Sequence, residues 1–176
     1  DIQSIQITQQ GGDIAEATIE LSPGVKLNPE ALERNIYTHS SCGMCSKPTL
    51  ESIEVHAPSL ENVPGPVFKT ETLYNLPHEL RASQANFSKT GGIHAAALIN
   101  SKGKCSSLME DVGRHNALDK LIGKELLDKK LPLHQHAVLL SGRGGFELIQ
   151  KAHVAGIPLV IALGAPTTMA VSLAHQ

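Results

Sequence analysis

Cys42 and Cys45 stand two residues apart in the stretch Ser40-Ser41-Cys42-Gly43-Met44-Cys45-Ser46-Lys47. Serines, a glycine and a lysine surround them where a core cysteine would have apolar neighbours. A cysteine attacks only as its thiolate, and a CxxC setting with nearby donors and a cation lowers the thiol pKa toward the reactive range. The spacing fits four chemistries: disulfide exchange, half of a zinc site, sulfur carriage, or two idle thiols. Lys47 is either a pKa-lowering cation or a surface lysine. His39, three residues before Cys42, either tunes the thiol or is a solvated loop histidine.

A second histidine tests the metal reading. In Thr90-Gly91-Gly92-Ile93-His94-Ala95-Ala96, the residue two after His94 is alanine, whereas the zinc deaminases place their proton-shuttling glutamate there and carry a P-C-x-x-C later in the chain. Here the cysteine pair precedes the histidine and has no proline before it, so deamination lacks its general base. Structural zinc would need a fourth ligand such as Cys105 or His39, and the spacing beyond the first pair matches no common site. No structural metal is expected.

Three further polar, glycine-bearing segments follow apolar runs: Glu110-Asp111-Val112-Gly113-Arg114-His115-Asn116, Ser141-Gly142-Arg143-Gly144-Gly145 and Gly164-Ala165-Pro166-Thr167-Thr168. Each stands where a strand would lead into a helix. In open α/β sheets ligands gather there, and helix N-termini with arginines hold phosphate. The bland alternative is a turn glycine and a capping Thr167 or Ser141. None of the three is a Walker A or GxGxxG fingerprint, which disfavours an NTPase or a dinucleotide dehydrogenase. Cys105 reads as an ordinary strand residue. His115 and Asp119, at i and i+4, read as a pair on a helix surface.

The elements that must position these residues follow from periodicity. Alternating Ile2, Ile5, Ile7 and Ala15, Ala17, Ile19, Leu21 around Gly11-Gly12-Asp13 read as a hairpin. Asn28-Pro29-Glu30 opens a short helix through Arg34, residues 48–55 form an element of undecided type, and 58–66 a proline-rich connection. Residues 70–90 read as helix broken at Pro77. Strands are expected at 93–99 and 104–109 around Asn100-Ser101-Lys102-Gly103, at 137–140 and at 157–163. Helices are expected at 112–129, 146–155 and 167–174. This alternation predicts one α/β domain over 1–176, a mixed sheet with helices on both faces.

Composition narrows the function. In 176 residues the hydrophobic fraction is 41%, enough for a core, and no apolar run reaches the ~20 residues that span a bilayer. Fifteen Lys and Arg against seventeen Asp and Glu give a formal charge of −2, and Trp is absent, so neither a basic stripe nor aromatic stacking platforms argue for nucleic acid. Three cysteines cannot all pair within the chain and no signal-like stretch opens it, which points to a reducing cytosol. The chain begins at once in a strand, without methionine, and is expected to lack an N-terminal piece.

Taken together, Ser41-Cys42-Gly43-Met44-Cys45, Thr90-Gly91-Gly92-Ile93-His94-Ala95-Ala96-Ala97, and the run from Glu110 through Arg114-His115-Asn116 to Asp119-Lys120 resemble the FdhD family, sulfur carrier proteins required for formate dehydrogenase activity. Ser141-Gly142-Arg143, Phe146-Glu147, Gly156-Ile157-Pro158 and Ala165-Pro166 continue the match in order. The resemblance implies a cytoplasmic protein with a cytidine deaminase-like fold. It also implies a homodimer that takes sulfur from a cysteine desulfurase as a cysteine persulfide and passes it to the molybdenum cofactor, in its bis-guanine-dinucleotide form, before insertion into formate dehydrogenase. By motif position Cys42 matches the persulfide-bearing cysteine and Cys45 the second of the pair. A guanine-nucleotide ligand is implied, with Gly91, Gly92, His94, Arg114, His115, Asn116, Ser141, Gly142 and Arg143 as the expected binding residues. The family continues into a further C-terminal strand and an arginine-bearing segment that these residues do not contain. Two rival functions remain: a carrier that delivers the cofactor without transferring sulfur, and a thiol oxidoreductase cycling a Cys42–Cys45 disulfide.

Overall fold

The computed structural model describes residues 2–10, 14–26 and 59–175, which fall into two compact units, Asp1–Tyr37 and Thr38–Gln176. Cys42, Cys45, His39, Lys47, the expected helix at 28–34 and the element at 48–55 lie outside the described residues. In the first unit β1 (Ile2–Gln10) pairs antiparallel with β2 (Ile14–Leu21). Ile5 lies opposite Ile19 and Ile7 opposite Ala17, with Gln6 opposite Thr18 and Thr8 opposite Glu16 in the alternate positions. This is the expected hairpin.

The second unit is built on a four-stranded sheet of β3 (His94–Asn100), β4 (Cys105–Asp111), β5 (His136–Arg143) and β6 (Leu159–Gly164), in the order β4-β3-β5-β6. The β3–β4 and β3–β5 pairs are antiparallel and β5–β6 is parallel, so the sheet is mixed. Five helices are described: α1 (Thr70–Ser83), α2 (Ala85–Thr90), α3 (Arg114–Leu127), α4 (Phe146–Val154) and α5 (Thr168–Ala174).

The period-2 geometry of a strand sends alternate side chains to opposite faces, and β3 and β5 are apolar on both. Ala96, Leu98, Val138 and Leu140 pack with Ala117, Leu118 and Leu121 of α3 and Leu148 and Ala152 of α4. Ala95, Ala97, Ile99, Ala137 and Leu139 pack with Leu76 and Leu80 of α1. The helices therefore cover both faces, and β3 and β5 are the buried centre of the sheet.

Three expected boundaries shift. Pro77 lies inside α1, and the break falls at Gln84 between α1 and α2. A proline in a helix interior costs ~3 kcal/mol, but Leu76 and Leu80 flank it, each 1% exposed, and burying two leucines contributes roughly 1.5–3 kcal/mol each. Ser141-Gly142-Arg143, expected as a loop, belongs to β5, which runs on to pair Arg143 with Gly164. Glu110 and Asp111 likewise belong to β4 rather than to the following joint, because the ladder with β3 extends to His94 opposite Asp111. Thr167 caps α5 as anticipated, its hydroxyl accepting from the Ala170 amide at 3.2 Å.

Candidate functional site

Antiparallel pairing sets the start of β3 beside the ends of its neighbours. His94 opens β3 opposite Asp111 at the end of β4, while Arg143 ends β5 opposite Gly164 at the end of β6. Thus one end of the sheet collects His94 and all three polar joints, the side of an open α/β sheet on which ligands settle.

At that end β5 carries a bulge. Leu140 pairs with Ala162 and Arg143 with Gly164, so three steps on β5 match two on β6, and such an extra residue re-aims side chains. The Ser141 hydroxyl here accepts the Ala95 amide at 2.8 Å and lies 3.4 Å from His94 Nδ1. The adjoining Gly142 leaves room for the histidine: a Cβ on it would stand 3.2 Å from His94 Cε1 and Nδ1 and 3.8 Å from Arg114 Cδ. His94, Ser141, Gly142 and Arg114 are therefore contiguous.

Two different walls meet at this junction. On the α1 face is a cavity of about 530 Å³, lined by Leu80, Arg81, Gln84, Phe87 and Leu163, by Gly91 through His94, and by Ser141. Its size and apolar lining with a few polar groups suit a small organic ligand. The Arg81 guanidinium lies 3.9 Å from the centroid of the Phe87 ring, a cation–π contact that fixes both side chains. Gly91 ends α2 with φ +67° and donates its amide to the Phe87 carbonyl at 2.8 Å, a left-handed position suited to glycine.

On the α3 face the wall is polar. The Asp111 carboxylate accepts the Gly113 amide at 2.9 Å and Asn116 Nδ2 at 3.2 Å, and pairs with Lys120. Lys120 first, then the Gly113 amide, holds the Asp111 carboxyl below the usual carboxylate range. The turn so made starts α3 at Arg114, with a glycine, Gly113, at the N-cap and therefore no N-cap side chain on the first amides of the helix. Arg114 Nε is buried and meets no acceptor among the described residues, and Arg143 is exposed. Donors of this kind suit an anion, and the recess beside them suits an apolar or planar group.

The structure thus brings together Gly91, Gly92, His94, Arg114, Ser141 and Gly142, with Arg143 at the margin. His115 turns away: it is 5% exposed, with Nε2 3.6 Å from Glu147 Oε2 on α4. Burial first, then Arg114, pulls its pKa below the usual histidine value. The expected His115–Asp119 surface pair does not form, because Asp119 pairs with Lys151. Asn116 is exposed and spends its amide on Asp111. Cys105 is half-buried at the start of β4, and burial raises its pKa, consistent with an ordinary strand residue. Leu80, Arg81, Gln84 and Phe87 line the cavity without a local sequence signal, because an apolar helix position facing a recess has the same pattern as one facing a core.

Among the described residues no helix is long and apolar enough to cross a membrane. A family model described as the FdhD/NarQ family matches residues 1–176. The chain is 47% identical over 159 residues to the sulfur carrier protein FdhD of Streptomyces avermitilis, covering 90% of this chain and 56% of that protein. It is 35% identical over 176 residues to that of Sulfurisphaera tokodaii, covering 100% and 64%. A crystal structure of a candidate formate dehydrogenase accessory protein from Desulfotalea psychrophila superposes with a TM-score of 0.53 at 30% identity, over 59% of this chain and 44% of that one. The chain spans between half and two thirds of the length of these curated relatives.

Proposed function

Because this chain belongs to the FdhD/NarQ family, we propose that it is a sulfur carrier for formate dehydrogenase maturation. In this reading it accepts sulfur on Cys42 from a cysteine desulfurase and delivers it to the molybdenum cofactor in bis-guanine-dinucleotide form. Three kinds of support meet: the Cys42-Gly43-Met44-Cys45 pair in the sequence, relatives named as sulfur carriers, and a related accessory-protein structure. The observation that carries the substrate side is the junction of His94, Ser141, Gly142 and Arg114 between an apolar cavity and an uncapped helix start.

The chemistry follows from thiol exchange. The Cys42 thiolate attacks the terminal sulfur of the desulfurase persulfide, an S–S bond forms on Cys42, and the donor cysteine leaves as thiolate, with no net oxidation. Release at the sulfide level takes a nucleophile on the inner sulfur, which keeps the S–S bond on the protein and expels the outer sulfur. If Cys45 supplies it, sulfide equivalent departs, a Cys42–Cys45 disulfide remains, and a dithiol reductant must reset the pair. At the sheet end, Arg114, the α3 amides and Arg143 are the groups to hold phosphates, and the cavity is the place for a flat ring. The protein acts in the cytoplasm as a homodimer, with the desulfurase and formate dehydrogenase as partners.

Titration of the chain with GDP, as the smallest guanine nucleotide carrying two phosphates, tests the binding half. Removing a charge-assisted donor costs about 1.5–3 kcal/mol, so Arg114→Ala raises the Kd on the order of tenfold or more. Equal affinity in the variant and the wild type counts against the pocket.

A further inference from the structure

Glu110 and Asp111 are neighbours at the end of β4, and strand alternation sends them to opposite faces. Leu108 packs in the core under α1 and Met109 against the core under α3 and α4, so Glu110 follows Leu108 and Asp111 follows Met109. Asp111 shapes the start of α3. Glu110 reaches the other way: one carboxylate oxygen accepts the Asn86 amide at 2.9 Å and the other accepts the Phe87 amide at 2.9 Å. These are amides of the first turn of α2, which have no partner within the helix. Gln84, the residue preceding α2, provides no side-chain cap. The cap comes from the sheet, 23 and 24 residues along the chain.

The consequence reaches the cavity. α2 has only six residues, too few to persist without tertiary anchors. Its Phe87 and the Gly91-Gly92-Ile93 segment that follows it line the cavity. The segment then delivers His94 to Ser141. Phe87 is itself held at its ring by Arg81 and at its amide by Glu110. We propose that Glu110 is a positioning residue for the substrate: its carboxylate fixes the Phe87–Gly92 wall of the cavity, and that wall selects the flat heterocycle of the nucleotide while Asp111 sets the phosphate side. This inference rests on the nucleotide-binding function proposed above and assigns the two ends of the ligand to the two faces.

The test separates the ends with two probes on the full chain, GDP and inorganic pyrophosphate. Glu110→Ala removes both acceptors and is expected to raise the GDP Kd on the order of tenfold, the effect of losing a cap and two hydrogen bonds to a charged group, while the pyrophosphate Kd stays within about twofold. Glu110→Gln keeps one acceptor in the same shape and recovers part of the loss. Circular dichroism and thermal melting identify any variant that fails to fold, and Glu110→Gln then carries the comparison. GDP and pyrophosphate weakened equally, or GDP unaffected, overturns the proposal and leaves the binding site standing. Pyrophosphate binding without any gain from the guanosine part in the wild-type protein overturns it as well. Failure of both probes to bind the wild-type protein overturns the nucleotide site itself, and this inference with it.

Discussion

The two walls of the cleft are built from the same strand end by opposite means. On the α1 face, apolar contacts do most of the work: Leu80 is 1% exposed, Phe87 and Leu163 line the recess, and Glu110 and Arg81 hold Phe87 at its amide and its ring. On the α3 face, hydrogen bonds and charge dominate, with Asp111 holding Gly113, Asn116 and Lys120 together. The difference shows how a two-residue period allows adjacent carboxylates to serve separate sites without competing. It also makes the walls separable by substitution, at Asp111 for the one and at Glu110 for the other.

The sharpest way to break this division is at Asp111. Asp111→Ala leaves the Gly113 amide and Asn116 without their acceptor and Lys120 with only the Glu110 carbonyl, so a loss of about 1–3 kcal/mol in unfolding free energy is expected, read by urea denaturation. Because the folded-state pKa of Asp111 lies below the ordinary value of 3.8, its stabilisation is present above that value and fades as pH falls through the folded pKa. The wild-type advantage over the variant should therefore hold at neutral pH and shrink as pH falls below 3.8. An advantage independent of pH would mean that shape rather than charge holds the wall.

A smaller effect is expected at His115, behind the polar wall. Burial and Arg114 lower its pKa from 6.5, against the opposing pull of Glu147, with Lys151 adding to the lowering. The unfolded chain then binds the proton more readily than the folded one. His115 accordingly costs stability as pH falls below about 6.5, and the cost levels off below its folded pKa. His115→Gln should flatten that part of the stability profile by less than about 1 kcal/mol, measured by denaturation at pH 7.5 and 5.5. An unchanged slope would place the titration elsewhere.

Much of this architecture is legible in the amino-acid pattern. The mixed sheet with helices on both faces follows from apolar runs of strand length alternating with helical spacing, and β3 reads as buried because Ala95 through Ile99 are apolar on both faces. What escapes is tertiary. Ser141-Gly142-Arg143 has the composition of a turn, yet pairing with β6 and a bulge make it strand. Pro77 signals a break that two buried leucines override. His115 has the same local setting as a ligand-binding histidine at a helix start, and only the packing of α4 with Glu147 distinguishes it. Glu110 gives no local sign of its role, because its partners at Asn86 and Phe87 come from another element. The sequence evidence for Cys42 is of a different kind, a spacing together with a family match.

Mass spectrometry of the chain after incubation with a cysteine desulfurase and cysteine, without reductant, tests sulfur carriage on Cys42 most directly. The peptide carrying position 42 is expected to gain the mass of one sulfur atom, removable by dithiothreitol, in the wild type and in Cys45→Ala but not in Cys42→Ala. An unmodified Cys42 in Cys45→Ala, or sulfur carried only on Cys45 in the wild type, would contradict it.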